Sequence, residues 1–343
     1  MAIQPSIDQR VHTKAVSEFR PAWWLRGPHR QTVWRRLFDR RPEPPLLRER
    51  VDTPDGDFID LDWFASVRRH GYRPLLVVLH GLEGSSRSPY VLGLLCEAER
   101  RGWDGVAINF RSCSGEINRR PRFYHSGETG DLDHIVSSVV SDNPGRPIGL
   151  VGYSLGGNVL LKWLGEHGEK IPESIRAAVA VSVPFDLAAA AHRIDHGIHR
   201  IYGQVFLRTL KQKVLLKVKM FPDLLDPKEV ARIRSFAQFD DRVTAPIHGF
   251  KDARDYWTRS SAGPWLEEIR KPTFLLNAYD DPFLPASCLP HDAVARSPWL
   301  TAEFTPRGGH VGFVEGRSPG AVTYWVDRRV LAYLDSLVRT GSG

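Results

Sequence analysis

The chain has 343 residues, enough for one large domain with insertions or two smaller ones. With 42% hydrophobic and 25% charged residues, 29 glycines and 25 prolines, it has the proportions of a folded globular protein; a disordered chain, a collagen and a disulfide mini-protein are excluded. The formal charge of +7 sits almost wholly in residues 1–50, where eleven Lys/Arg oppose five Asp/Glu, so the body is near neutral and no nucleic-acid partner is expected.

Cys96, Cys113 and Cys288 form no CxxC pair, so neither a disulfide framework nor a thiolate zinc site is expected. The opening MAIQPSIDQRVHTK lacks the apolar centre of a signal peptide, and no run of about 18 apolar residues occurs; a soluble, cytoplasmic protein is expected. Residues 19–41 then combine Trp23, Trp24 and Trp34 with many arginines, interrupted by Pro21, Gly27 and Pro28. They read as part of an N-terminal arm, 1–44, whose tryptophans pack on the body; the alternative reading is an interfacial membrane segment making weak peripheral contact.

Two β-like runs, LLRERVDTP and DFIDLDWF, flank the turn residues Pro54, Asp55 and Gly56 and predict an antiparallel hairpin. From residue 73, short continuous apolar runs alternate with helical stretches: PLLVVLH, GVAINF, PIGLVGY, AAVAVSV and PTFLLNA are strands without polar alternation, hence buried on both faces. That alternation predicts an α/β core with a parallel sheet over 45–184 and 271–338, followed by a tail at 339–343. Residues 185–270 hold no convincing strand. Their helix-like segments, broken by proline and glycine, predict a helical cap inserted over the C-terminal ends of the strands, where such sheets bind ligands.

The chemistry concentrates at Gly152-Tyr153-Ser154-Leu155-Gly156, between an apolar strand and a helix. This is the setting a nucleophile elbow needs: a sharp turn raises the serine hydroxyl above the sheet, and flanking glycines avoid collision. A serine hydroxyl needs a base and an orienting acid, which should follow in the order Ser, Asp/Glu, His. Asp280 and Asp281 follow the strand PTFLLNA, and His310 lies in the turn RGGHVGF after the next strand-like run. Asp281 is chosen because DPFLP carries the chain back toward a helix, leaving Asp280 to cap the turn. Oxyanion donors are expected from the N–H groups of Leu155 and Leu82, the latter in the loop HGLEGSS, where Gly81 allows close approach and His80 braces. Gly81, Tyr153, Arg111 and His125 are candidates for substrate contact, although Arg111, Tyr124 and His125, just past a strand's C-terminal end, read first as braces of a long loop. Cys113 reads as structural, and His192, His196 and His199, spaced i, i+4 and i+7, read as surface histidines, so no metal is expected.

The sequence resembles the α/β-hydrolase superfamily over residues 45–338, and more narrowly the YheT-like hydrolases, relatives of mammalian lipases acting on acylglycerols and phospholipids. The resemblance rests on HGLEGSSRSPY (80–90), NFRSCSGEINRRPRFYHSGETGDL (109–132), GYSLGGN (152–158), NAYDDPF (277–283) and GGHVGF (308–313), and extends to RPAWWLRGPHRQT. It implies a mostly parallel eight-stranded sheet, a Ser154, Asp281, His310 triad, and cleavage of small-molecule or lipid carboxylic esters without metal or organic cofactor. Acyl transfer and lipase or thioesterase action use the same triad; a noncatalytic ligand-binding member is the alternative outside enzymes. One departure is Ser112, where the family more usually has glycine, which bears on the loop there.

Overall fold

A computed structural model describes residues 18–39, 43–64 and 73–338. Residues 1–17 and 40–42 of the expected arm, residues 65–72, and the expected tail 339–343 lie outside the described residues. Strands β1 (Leu46–Asp52), β2 (Phe58–Phe64), β3 (Leu75–Leu79), β4 (Asp104–Asn109), β5 (Ile148–Tyr153), β6 (Ile175–Val181), β7 (Thr273–Ala278) and β8 (Leu300–Thr305) form one sheet. Their order is β1-β2-β4-β3-β5-β6-β7-β8. β1 and β2 are the predicted antiparallel hairpin; β2 alone runs against the other strands, pairing antiparallel with β4, while β3 through β8 run parallel. A short second hairpin, Val314–Gly316 with Val322–Tyr324, had no clear signal in the sequence.

The continuous apolar runs explain the layering. Successive side chains on a strand alternate faces, so Leu75, Val77 and Leu79 join one core while Leu76 and Val78 join the other. The first core is closed by Ile135 and Val139 of a helix over Thr129–Asp142 and Leu160 and Trp163 of a helix over Leu155–His167. Leu94 and Leu95 of the helix Pro89–Arg100, with Val330 and Leu334 of the C-terminal helix Trp325–Val338, close the second. β4 and β5 flank β3 on opposite sides, so the chain reverses direction of travel across the sheet at β3. Loops from the ends of β3 and β5 diverge there, leaving the crevice where ligands bind in such sheets.

Between β6 and β7 the chain forms helices Leu187–Asp195, Arg200–Met220, Pro227–Arg232 and Ala253–Ser260, with shorter turns between them. The long helix is anchored by an element that periodicity hides. Lys217 is 0% exposed and its ammonium donates to the carbonyls of Asn118 and Arg120; burial pulls it down to about 8. No helix among the described residues is long and apolar enough to cross a membrane.

At the N-terminus, Phe19, Ala22 and Leu25 are buried, and Phe19 lies 5.5 Å from the Phe313 ring and 5.3 Å from Trp325. A helix over Pro28–Phe38 follows. Trp24 and Trp34 pack edge to face at 4.6 Å, and the Trp24 indole donates to the Gly316 carbonyl. Trp23 departs from the expectation that all three tryptophans are packed: its indole N–H reaches the Arg317 carbonyl, yet the residue is 68% exposed.

Arg111 takes the bracing place of its two expected ones. It is 2% exposed, and its guanidinium bonds Asp55, Asp57 and Asp131, so it ties the hairpin turn to the loop after β4 and is not available to substrate. Burial works to raise the Asp55 carboxyl, but hydrogen bonds from Arg111 and Thr53 overcome it and hold it at about 2. Arg111→Met would leave Asp57 and Asp131 buried without their shared cation, a loss of about 3–5 kcal/mol. A fall in melting temperature of roughly 5–10 °C is expected by calorimetry. The depressed Asp55 value gives a sign for pH as well. Its contribution is complete above the ordinary value of 3.8 and is lost as pH falls through about 2.

Candidate active site

Ser154 follows the last residue of β5 and begins the helix Leu155–His167 at φ 52°, ψ −119°, an unusual conformation for a residue with a side chain. The glycines around it are required by space. A Cβ on Gly152 would stand 2.5 Å from the Gly156 carbonyl oxygen, and one on Gly156 would stand 2.5 Å from that of His80. The strained turn is held by Ser154 N–H donating to Val181 O, and by Asn158 N–H donating to Ser154 O.

Three strand ends bring the predicted residues together. His310 Nε2 lies 2.9 Å from Ser154 Oγ, and His310 Nδ1 lies 2.7 Å from Asp281 Oδ2. Asp281 is 1% exposed, and its other oxygen accepts the Phe283 N–H at 2.8 Å. With Nδ1 facing a carboxylate, the neutral ring carries its proton there and leaves Nε2 able to accept from the serine. Phe283 lies against the imidazole at 4.5 Å between ring centres, and Tyr202 and Phe206 from the inserted helices pack on Phe283 in turn. Asp280 points elsewhere: it is half-buried, burial raises its carboxyl, and it accepts the Gly309 N–H.

The loop after β3 reaches the same point. A Cβ on Gly81 would come 3.1 Å from the Ser154 Cβ, a tight contact that glycine avoids at this close approach. Gly81 N–H donates to Tyr90 Oη, Glu83 N–H to Tyr124 Oη, and Gly84 N–H to Gly81 O. Among the described residues the Leu82 N–H between them has no partner, and neither does Leu155 N–H in the first turn of its helix. One of these two N–H groups stands at the positive end of a helix. Glu83, at φ 55°, is locked by Tyr124 and by Lys213 at 2.8 Å. His80 accepts Phe110 N–H at Nε2 and donates from Nδ1 to Gly81 O; burial pulls it down to about 4, which keeps it a neutral brace.

Of the candidates for substrate contact, Gly81 lies at the serine, but Tyr153, Arg111 and His125 have no described contact with Ser154, Asp281 or His310. Alternation along β5 explains Tyr153: it is 0% exposed, joins the core opposite Leu150, and rests 4.8 Å from the Tyr90 ring. His125 is enclosed by His248, Phe250 and Tyr256. Cys113 is buried, and burial pushes its thiol up to about 11, away from nucleophilic use. Ser112 adopts φ 64°, the region glycine favours, and its hydroxyl compensates by bonding Asn118 on the same loop.

The histidines spaced along 192–199 do not share a helical face, because the helix ends at Asp195 and Gly197 turns the chain at φ 59°. His192 and His196 stack, while His199 faces His29. A different group, His125, Glu128 and His248, has ligand atoms within 4.8 Å of one another. It is poorly set for a cation: His125 Nδ1 accepts the Gly127 N–H, which puts the ring proton on Nε2 toward Glu128, and Arg122 already pairs with that carboxylate.

Sequence reasoning missed several residues around the triad. Thr32, Gln31 and Ser182 hold the turn that carries His310, and Asn158, fully buried, ties Ser126, Ser260 and Ala262 together under the site. Gln31, Thr32 and Asn158 lie within motifs that carry the resemblance, but what each holds is set by backbone groups far away in the sequence.

Residues 74–316 match the family described as the alpha/beta hydrolase fold. The chain is 40% identical over 331 residues to YheT of Escherichia coli (strain K12), covering 95% of each chain. It is 32% identical to Phospholipase ABHD3 of Mus musculus, covering 96% of this chain and 81% of that one. Among solved structures, an esterase of Pyrococcus furiosus aligns with a TM-score of 0.54 at 17% identity, over 86% of this chain and 93% of that chain, which is a likeness of fold.

Proposed function

The chain belongs to the alpha/beta hydrolase family, and from that premise we propose that it cleaves carboxylic esters through an acyl-enzyme on Ser154. The supporting observation is the continuous line from Ser154 Oγ through both nitrogens of His310 to the buried Asp281. Ser154 Oγ attacks the acyl carbonyl as its proton passes to His310 Nε2. The oxyanion is met by the N–H groups of Leu82 and Leu155, and Asp281 steadies the imidazolium. His310 then gives its proton to the departing alcohol. A water activated by the same nitrogen attacks the acyl-serine, releasing the acid and restoring the hydroxyl. No step calls for a metal or organic cofactor.

Residues 185–270 act as a cap in this scheme, because Tyr202 and Phe206 reach Phe283, the side chain that covers His310. A cleft beside Glu83 has a largely apolar wall of Phe123, Leu210, Val214, Phe239 and Ile247, with Lys213, Thr244 and His248 also lining it, which favours an ester with an apolar acyl group, in keeping with a relative named as a phospholipase. The test is intact-mass and peptide analysis after treatment with a fluorophosphonate, with a panel of esters from acetyl to palmitoyl. One adduct on Ser154 and turnover of at least one ester are expected. An adduct elsewhere, or none, would overturn the reading.

A further inference from the structure

The turn that carries His310 is held by side chains from three distant segments. Gly309 N–H donates to Asp280 Oδ1 at 2.9 Å, His310 N–H to Thr32 Oγ1 at 2.9 Å, Val311 N–H to Ser182 Oγ at 3.0 Å, and Val314 N–H to Gln31 Oε1 at 2.7 Å. Two of the four acceptors come from the N-terminal helix Pro28–Phe38. The Thr32 hydroxyl donates its own proton to Pro28 O at 2.8 Å, which turns a lone pair toward the His310 N–H. Gln31 is buried, and its amide also donates to the carbonyls of Val314 and Leu25. The fit is close: a Cβ on Gly309 would meet Pro28 O at 2.5 Å, and one on Gly312 would meet Gln31 O at 2.4 Å.

These contacts restrain a backbone that would otherwise relax. Val311 stands at φ 58° and Phe313 at φ 45°, strained conformations for residues with side chains that persist only where the surroundings over-determine them. Asp281 grips the imidazole at Nδ1 alone, so the ring's other nitrogen stays on Ser154 only while the peptide beneath it is fixed. On the triad reading above, we infer that Thr32 and Gln31 are positioning residues, which hold the His310 turn so that Nε2 stays in line with Ser154 Oγ. The N-terminal helix is then part of the active-site framework, acting through His310 and touching no substrate.

The test compares Thr32→Val, which keeps the shape without the hydroxyl, with Thr32→Ser, which restores the hydroxyl. Hydrolysis of p-nitrophenyl butyrate and the rate and final stoichiometry of fluorophosphonate labelling are measured, beside thermal melts and a Ser154→Ala control. A displacement of about 1 Å in a reacting group can cost on the order of a hundredfold. Thr32→Val is expected to lower kcat by roughly 10- to 100-fold at unchanged KM and to slow labelling similarly at full stoichiometry. Thr32→Ser is expected to recover most of the rate. A folded Thr32→Val protein with wild-type kcat and labelling rate overturns the inference. So does a rate that falls only in proportion to labelled stoichiometry, since that is loss of folded protein. If Thr32→Val does not fold, Thr32→Ala is read in the same way; failure of both while Thr32→Ser folds also overturns it, because the hydroxyl then serves the fold. Hydrolysis retained in Ser154→Ala would instead overturn the triad reading, whatever Thr32 does.

Discussion

Ser154→Ala is expected to lower kcat by about a million-fold, the usual cost of removing a nucleophile whose partners cannot act without it. The melting curve should stay where it is, for reasons local to the elbow. The described bond of the Ser154 side chain is to His310, whereas the strained turn is held through its backbone N–H and C=O, which alanine keeps. Alanine also keeps the Cβ that packs against Gly81, so no cavity opens in the loop after β3. Ester turnover and fluorophosphonate labelling should vanish together in a protein with an unaltered thermal transition. Near-normal turnover in that folded variant would remove Ser154 from the chemistry.

What could be seen in advance followed from how far each feature depends on distant residues. Strands β3 to β7 are legible because a strand buried on both faces is apolar along its middle without polar alternation, a condition written within five to seven residues. Ser154, Asp281 and His310 are legible for a related reason: each lies just beyond a strand or strand-like run, so order along the chain substitutes for contact in space. The glycines at 152 and 156 announce the elbow because side chains there would strike backbone within the same motif or on the adjoining strand. Thr32 is the opposite case. Its acceptor oxygen meets a peptide 278 positions away, and a threonine in an amphipathic helix looks the same with or without that bond. Arg111 stood between two readings because position alone, past a strand's C-terminal end, fits a pocket residue as well as a brace; the three carboxylates that settle it come from the hairpin turn and from a helix after the long loop. Trp23 fails differently: adjacent residues on a turn point apart, so Trp24 packs and its neighbour faces solvent.

The choice between the two adjacent acids yields the sharpest comparison. Asp281→Asn is expected to lower kcat by about 10⁴, and Asp280→Asn by no more than a few-fold. In the Asp281→Asn variant the new amide would keep its carbonyl oxygen on the Phe283 N–H and present its NH2 group to His310 Nδ1. That nitrogen must then accept, so the ring proton moves to Nε2 and the imidazole can no longer take the proton of Ser154. The buried position worsens the effect, because an imidazolium beside a neutral amide at a site 1% exposed loses its compensating charge. At Asp280 the described bond is an acceptance from Gly309 N–H, which an asparagine oxygen makes equally well, and burial already works against that carboxylate's charge. Stopped-flow or steady-state hydrolysis of one p-nitrophenyl ester by both variants, each checked for an intact melt, separates the roles. A larger loss in Asp280→Asn would move the orienting role to Asp280, and equally small losses in both would place the acid at another strand end.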